Sequence, residues 1–296
     1  MTLTRTAKNW LNVLLFLSPS VIGFLVFLLL PSLASTVLSL TEWSVVSPPS
    51  FVGLANYITL VSEDPIFWLS LRLTFYYAAL SIPLSIVGSL VLALAVNQPL
   101  RGIAVFRVIY FIPVVSSMVA VAMIWRWLYA MDYGLINLGL MRLGLEQVPW
   151  LSSGRFVIPA VVLMSVWKGL GYGMVIYLAG LQGIPAHLYD AAKIDGAGRW
   201  QSFWNVTLPL LSPTHFFMLV TSVIGSFQVF DSIYLMTQGG PGNSSRVYSF
   251  YLYQQAFSYQ HMGYASAMAW ILFLIIFVIT LIQVRYMQRG VTYELA

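Results

Sequence analysis

The stretch from Val13 to Leu30 reads VLLFLSPSVIGFLVFLLL, 18 residues without a charge. A signal-peptide core has only about 7–15 apolar residues, so this run is too long for a cleaved leader. It suits a membrane span, which needs roughly 20 mostly apolar residues. Five further stretches of the same character follow. The expected spans are Trp10–Leu40, Pro65–Val96, Arg101–Tyr129, Phe156–Leu181, Leu208–Met236 and Tyr264–Val284. The composition agrees, with 59% of the 296 residues hydrophobic and only 8% charged, against about 25% charged in an ordinary soluble domain. A soluble chain of this size could not hide that much apolar surface in one core. A cytosolic enzyme domain, a disordered chain and a nucleic-acid binder are thereby excluded, and membrane lipid is an obligatory neighbour. The chain has no cysteine, which removes disulfides, thiolate metal sites and a lipoprotein anchor. The largest loops have about 25 residues, below the ~50-residue floor for a separate domain. Residues 1–296 therefore read as a single transmembrane domain.

The 14 basic residues then orient the chain. Arg5, Lys8, Arg101, Arg107, Lys193, Arg199, Arg285 and Arg289 fall on one side. Arg142, Arg155 and Arg246 fall on the other, and Arg72, Arg126 and Lys168 lie inside spans. The excess of Lys and Arg marks the cytoplasmic side, so both termini and the even-numbered loops are expected inside. The acidic loop carrying Glu42, Glu63 and Asp64 then faces outward, as does the Gly239–Arg246 loop. Trp43, Trp68, Trp125, Trp127 and Tyr129 sit near the outer boundary, as an aromatic belt would.

Signatures of chemistry are missing. There is no G-x-x-x-x-G-K-[S/T] phosphate cradle and no G-x-S-x-G elbow. His187, His215 and His261 are far apart, without H-E-x-x-H spacing, so no catalytic group and no metal site is assigned. Gly169-Leu-Gly-Tyr-Gly173 has no preceding strand, and Gly169-x-x-x-Gly173 reads as a close helix-packing face.

The loop from Gln182 to Thr207, between spans four and five, is unusual. Pro185 suits a first helical position, Ala186–Asp195 forms a short helix, and Gly196 stops it. Trp200, Phe203 and Trp204 follow at i, i+3, i+4, one apolar face of a second turn. Small Ala191 and Ala192 permit close backbone approach, and Asp190 and Asp195 offer anchor points to basic groups. The residues alone leave two readings: a helix that enters a partner's groove, or one that lies on lipid headgroups.

Tyr189-Asp-Ala-Ala-Lys-Ile-Asp-Gly-Ala197, with Leu208-Pro-Leu-Leu-Ser-Pro213 downstream, resembles the E-A-A…D-G-A…L-P loop of permease subunits of binding-protein-dependent ABC importers. Asp190 stands where that loop has its leading Glu. Nearly the whole chain shares the likeness. Phe51-Val-Gly-Leu-Ala-Asn-Tyr57 is similar to the first outward loop of the carbohydrate branch. Phe106-Arg107 with Phe111-Ile-Pro113 is similar to its third span, and Trp167-Lys168, Gly171-Tyr172 and Leu178-Ala-Gly-Leu-Gln182 to its fourth. Phe227-Gln-Val-Phe-Asp231 with Thr237-Gln-Gly-Gly-Pro-Gly242 resembles the fifth-span exit of maltose and glycerol-phosphate type permeases. The resemblance implies an all-α polytopic membrane protein of the type I importer permease fold, with six transmembrane helices and a cytoplasmic coupling helix. It implies a bacterial or archaeal cytoplasmic membrane. It also implies a paralogous second permease, two cytosolic ATPase subunits that bind the ATP and Mg, an extracytoplasmic solute-binding protein, and no cofactor in this chain. The ATPases would act on Tyr189, Asp190, Ala191, Ala192, Asp195 and Gly196. The expected cargo is a disaccharide or oligosaccharide, with glycerol-phosphate or a related polyol ester as the alternative. From another class, a stand-alone secondary transporter or channel would need no coupling loop, and an intramembrane enzyme would show a catalytic cluster.

Polar groups within spans point to the solute path. A lone charge at a helix centre costs about 2.5–3.5 kcal/mol on insertion scales, so Lys168, deep in span four, requires a wet cavity or a partner. Tyr172 lies one turn away on the same face. Gln228 and Asp231, three apart, are expected on one face of span five, near Phe230 and Tyr234. These four polar residues are the candidate path. Interfacial anchoring of Arg72, Arg126 and Asp231, and simple helix packing at Gln228, are the competing readings.

Overall fold

The computed structural model describes residues 5–287, and Arg289, one of the charges used for orientation, lies outside them. The described residues form two compact units, one up to Asp64 together with Leu252–Leu272, the other Pro65–Tyr251 together with residues from Phe273 onward.

The first unit begins with α1 (Arg5–Phe24), which passes through a π-helical turn, Leu25–Leu29, into α2 (Leu30–Ser39). From Val13 to Val37 its large apolar side chains are exposed in every direction, as Phe16 at 86% and Phe27 at 82% show. A helix that is apolar all round and uncovered by its own fold is suited to a lipid surrounding. After Leu40 the chain forms a short antiparallel hairpin, β1 (Thr41–Glu42) with β2 (Ser50–Phe51), then α3 (Ala55–Ser62). Asn56 explains why this segment holds its shape. Its Nδ2 donates to the carbonyls of Ser39 and Thr41, both at 2.9 Å, and the Tyr57 hydroxyl donates to Ser39 Oγ at 2.8 Å. These bonds satisfy carbonyls freed where α2 ends.

In the second unit, α4 (Pro65–Val96), α5 (Ile103–Val115), α6 (Met118–Leu128), α7 (Leu135–Arg142) and α8 (Val157–Gln182) come first. Then come α9 (Ala186–Ile194), α10 (Arg199–Ser202), a π-helical turn Phe203–Thr207, α11 (Leu208–Leu210), α12 (Ser212–Phe227) and α13 (Asp231–Met236). The helix α14 (Tyr248–Tyr253) follows, and α15 (Met262–Met287) ends the described chain. Buried α8 is the hub, with Val157, Ile158, Val161, Met164, Met174 and Tyr177 all inaccessible. Lipid tails are as apolar as leucine, so close packing and hydrogen bonds, not hydrophobic burial, hold such helices together. The contacts at glycine show it. A Cβ on Gly171 would strike the Tyr110 carbonyl of α5, and one on Gly173 would strike Ser89 of α4. The Gly169 position, expected to share this packing face, opens on free space. Gly171 and Gly173 therefore do the packing, against different neighbours.

Among the described residues four helical stretches are long and apolar enough to cross a membrane: Val13–Ser39, Pro65–Val96, Val157–Gln182 and Met262–Tyr286. The expected second span coincides with α4, and the first, fourth and sixth shift by a few residues. The expected third and fifth spans are not continuous helices. α5 and α6 meet at a 99° bend, where Ser116 is extended with φ −72° and ψ 144°. Proline at 113 has no N–H to continue the ladder, and the last α5 carbonyls turn to Lys168. Arg199–Leu210 and α12 meet at 64°, with Pro213 in the first turn of α12. A further break at residues 228–230 separates α12 from α13.

Candidate functional site

The second unit carries a stripe of polar residues down α4. Ser70, Thr74, Tyr77, Ser81, Ser85 and Ser89 recur every three or four residues, and so lie on one helix face. All but Ser85 are buried. At one end Thr74 Oγ1 donates to the Ser70 carbonyl and accepts the Tyr248 amide, each at 2.9 Å. At the other Ser89 Oγ lies 3.4 Å from the Leu170 carbonyl. Between them α4, α8 and α12 form an open cavity of about 130 Å³ lined by Tyr77, Ser81, Ser85, Ser165, Ser222 and Ser226, with Val166 and Gly225. Ser81 and Ser226 bond to each other across it at 3.1 Å. Ser85 and Ser222 have no protein partner among the described residues. Both are half-buried, so water or a polar solute can satisfy their hydroxyls. No charged group lines the cavity. Its serines follow a helical period, Ser81 to Ser85 and Ser222 to Ser226, and that spacing is the sequence signal that the four-residue candidate path overlooked.

Those four residues lie elsewhere. Lys168 is paired. Its Nζ donates to the carbonyls of Pro113, Val114 and Ser116 at 2.9, 3.1 and 3.0 Å. An ammonium has three donors, so all are used, and the cation sits where the C-terminal end of α5 is electronegative. Tyr172 is on α8, one turn on, and is 49% exposed. Gln228 and Asp231 are exposed but do not share a helix face. α12 ends at Phe227, and the chain turns at Gln228 and leaves helical geometry through Phe230 before α13 begins at Asp231. No proline or glycine marks this break; Ser249 Oγ, from outside the segment, donates to the freed Phe227 carbonyl at 3.1 Å. Arg126, near the α6 end, reaches the Leu235 carbonyl at 3.5 Å, and Arg72 is exposed.

The loop at 182–207 has the expected elements. Pro185 stands one position earlier than expected, at the N-cap of α9. Gly196 adopts φ +79°. Its N–H donates to the Lys193 carbonyl at 3.0 Å and the Ala197 N–H to Ala192 at 2.8 Å, the paired bonds of a Schellman stop. Asp190 bonds Lys193 at 2.9 Å with both side chains mostly in solvent, a pair worth less than about 1 kcal/mol. Ala191, Asp195 and Gly196 are exposed, and Ala192 is half-buried. The Tyr189 hydroxyl meets Thr207 Oγ1 at 3.0 Å, linking α9 to the turn that leads into α11 and α12. Trp200, Phe203 and Trp204 stack in a cluster with ring centroids 5.4–6.0 Å apart, Trp200 being 72% exposed.

A profile of the family described as binding-protein-dependent transport system inner membrane components matches residues 85–293. The chain is 39% identical over 283 residues to the probable ABC transporter permease YesP of Bacillus subtilis (strain 168), covering 94% of this chain and 91% of the relative. It is 35% identical over 275 residues to the lactose transport system permease LacF of Rhizobium radiobacter, covering 91% of each. Among solved structures, a chain of a bacterial alginate ABC transporter, crystallised with an alginate pentasaccharide-bound periplasmic protein, superposes with a TM-score of 0.84. It is 25% identical, and 95% of each chain is covered.

Proposed function

We infer the function of this chain from one premise: it belongs to the family of inner membrane components of binding-protein-dependent transport systems. It is a permease of a sugar-type ABC importer and an integral inner membrane protein. The whole of 1–296 is read as one permease domain with six crossings, each bent pair counting as one. A second permease completes the path, two cytosolic ATPases bind ATP and Mg, and a solute-binding protein delivers the cargo. This chain contributes passage and coupling, not chemistry. The cargo is a neutral sugar, a disaccharide or oligosaccharide.

The serine-lined cavity carries this reading. Hydroxyls recognise hydroxyls, whereas the phosphate of a polyol ester would want Lys or Arg, and none lines the cavity. At about 130 Å³ it is smaller than the roughly 300–1,000 Å³ of ligand pockets, as one wall of a path closed between transport steps would be. The relatives named for lactose and for arabinooligosaccharides support the sugar assignment.

Two experiments test it. The first places the sides of the membrane. Val46 and Ile194 are equally exposed, at 86%, and the native chain has no cysteine. In intact cells Val46→Cys is expected to react with an impermeant maleimide and Ile194→Cys only after lysis; the reverse pattern overturns the orientation. The second reads the path. In the reconstituted complex with partners and binding protein, Ser81→Leu and Ser226→Leu each fill the cavity and remove a hydrogen bond worth about 0.5–1.5 kcal/mol. Overpacking adds about 1–3 kcal/mol, so ATP-dependent sugar uptake is expected to fall at least about tenfold. Affinity of the soluble binding protein for sugar stays unchanged. Wild-type uptake in both variants removes the cavity from the path.

A further inference from the structure

The first unit holds a pocket of about 630 Å³ that the transport reading does not use, lined among others by Glu42, Trp43, Asn56, Thr59, Gln255 and His261. That volume lies within the range of small-molecule sites. Its walls are fixed by the backbone. The Met262 amide donates to the Trp43 carbonyl at 2.9 Å, and Ser44 and His261 form an isolated antiparallel bridge. Its polar groups mix hydroxyls that donate or accept, Ser44, Ser47, Ser50 and Thr59 among them, with groups that accept. Both Asn56 Nδ2 protons are committed to backbone carbonyls, which leaves Oδ1 as the amide's open atom. His261 Nδ1 lies 2.9 Å from Gln255 Oε1. An amide oxygen only accepts, so Nδ1 carries a proton and donates to it. The exposed Glu42 carboxylate has no ion pair among the described residues. Trp43 adds a half-buried indole, and no Lys or Arg lines the pocket.

Hydroxyls and acceptors around an aromatic face, with one carboxylate and no Lys or Arg, suit a ligand rich in hydroxyls whose C–H surface stacks on indole. We propose that this pocket is a relay site for a neutral saccharide on the outward side, occupied after release from the binding protein. The proposal rests on the sugar-importer reading and its orientation. An acidic saccharide is repelled by Glu42. An organic cation is the competing ligand chemistry, and the test includes it.

The assembled transporter is placed in nanodiscs without binding protein, and equilibrium dialysis measures lactose, maltotriose, digalacturonate and choline. Saturable binding of a neutral sugar is expected, with digalacturonate and choline binding more weakly. Glu42→Gln loses a charge-assisted bond, so its affinity is expected to fall at least about tenfold. Trp43→Ala removes the stacking face and is also expected to weaken binding. Leu274→Ile, at an exposed position on α15 outside both cavities, leaves it unchanged. No neutral-sugar binding, equal binding in Glu42→Gln and Trp43→Ala, or tighter binding of choline overturns the site. If Glu42→Gln fails to assemble, Thr59→Val supplies the same comparison, with a smaller loss. ATP-dependent uptake is measured in the same preparations with binding protein added. Uptake without pocket binding overturns the relay alone; pocket binding without uptake of any sugar upholds the site and counts against the importer reading.

Discussion

Lys168→Met is expected to lower the melting temperature of the purified complex on the order of 5 °C or more, while Lys168→Arg restores most of it. The ammonium closes the α5–α6 bend by taking the carbonyls of Pro113, Val114 and Ser116. Methionine matches the stem but has no donor, and three carbonyls in an apolar surrounding lose their partner. Hydrogen bonds to a charged group contribute about 1.5–3 kcal/mol each. They share one ammonium, so the total is smaller than the sum, about 3 kcal/mol. At roughly 2–4 °C per kcal/mol for chains of this size the shift follows. Arginine keeps the charge and its donors, though not the three-way geometry. The measurement separates two roles. A lysine that only touched solute in the path would change the concentration dependence of uptake and leave the melting temperature alone. Differential scanning fluorimetry of wild type and both variants decides between them.

The same residue shows where sequence reading succeeds and where it stops. That Lys168 needs a partner follows from the cost of a charge deep in a span, and the structure supplies one. Which partner could not be read, because the bend lies more than 50 residues upstream of the lysine and its extended Ser116-Ser117 pair looks like ordinary span interior. The second span was legible to its ends, since Asp64 before it and the polar Asn97-Gln98 after it bracket an apolar run. The short helix after Pro185 and its stop at Gly196 were legible for a local reason: cap and αL residues encode their own geometry. The break after Phe227 carries no such signal. Its freed carbonyl is taken by Ser249, 22 residues on, and so the helix face expected to join Gln228 and Asp231 does not form. The cavity serines were visible as a period along α4 and α12, but the apolar residues between them dominate any window average. Charge drew attention to Lys168 and Asp231, whereas the serine-lined cavity is made of uncharged hydroxyls.

Gly196→Pro is expected to abolish coupling, with uptake falling about 100-fold while the chain still inserts and the complex still hydrolyses ATP. Gly196 holds φ +79°, and proline is fixed near −65°. The substitution also removes the N–H that donates to the Lys193 carbonyl. Losing the αL stop and its bond costs about 3 kcal/mol, which at 1.4 kcal/mol per tenfold leaves on the order of 1% of loops correctly ended. The end of α9 matters because of what it aligns. Asp190 is paired only through a weak solvent-exposed contact with Lys193, so its carboxylate is available to a basic group on an ATPase. Tyr189, on the same helix, holds Thr207 at 3.0 Å, at the start of the bent lead into α12. The cavity residues Ser222 and Ser226 sit on that helix. Displacement of α9 thus has a physical route, through one hydroxyl pair and a jointed helix, to the wall of the serine-lined cavity. Gly196→Asn is the control, because asparagine tolerates αL and keeps its N–H; uptake within about threefold of wild type is expected, the strain being on the order of 0.5 kcal/mol. Uptake and ATPase rates in proteoliposomes, normalised to assembled complex, measure both. A proline variant that imports like wild type removes Gly196 from the coupling element, and an asparagine variant as impaired as the proline one shows that the αL stop is not what coupling requires.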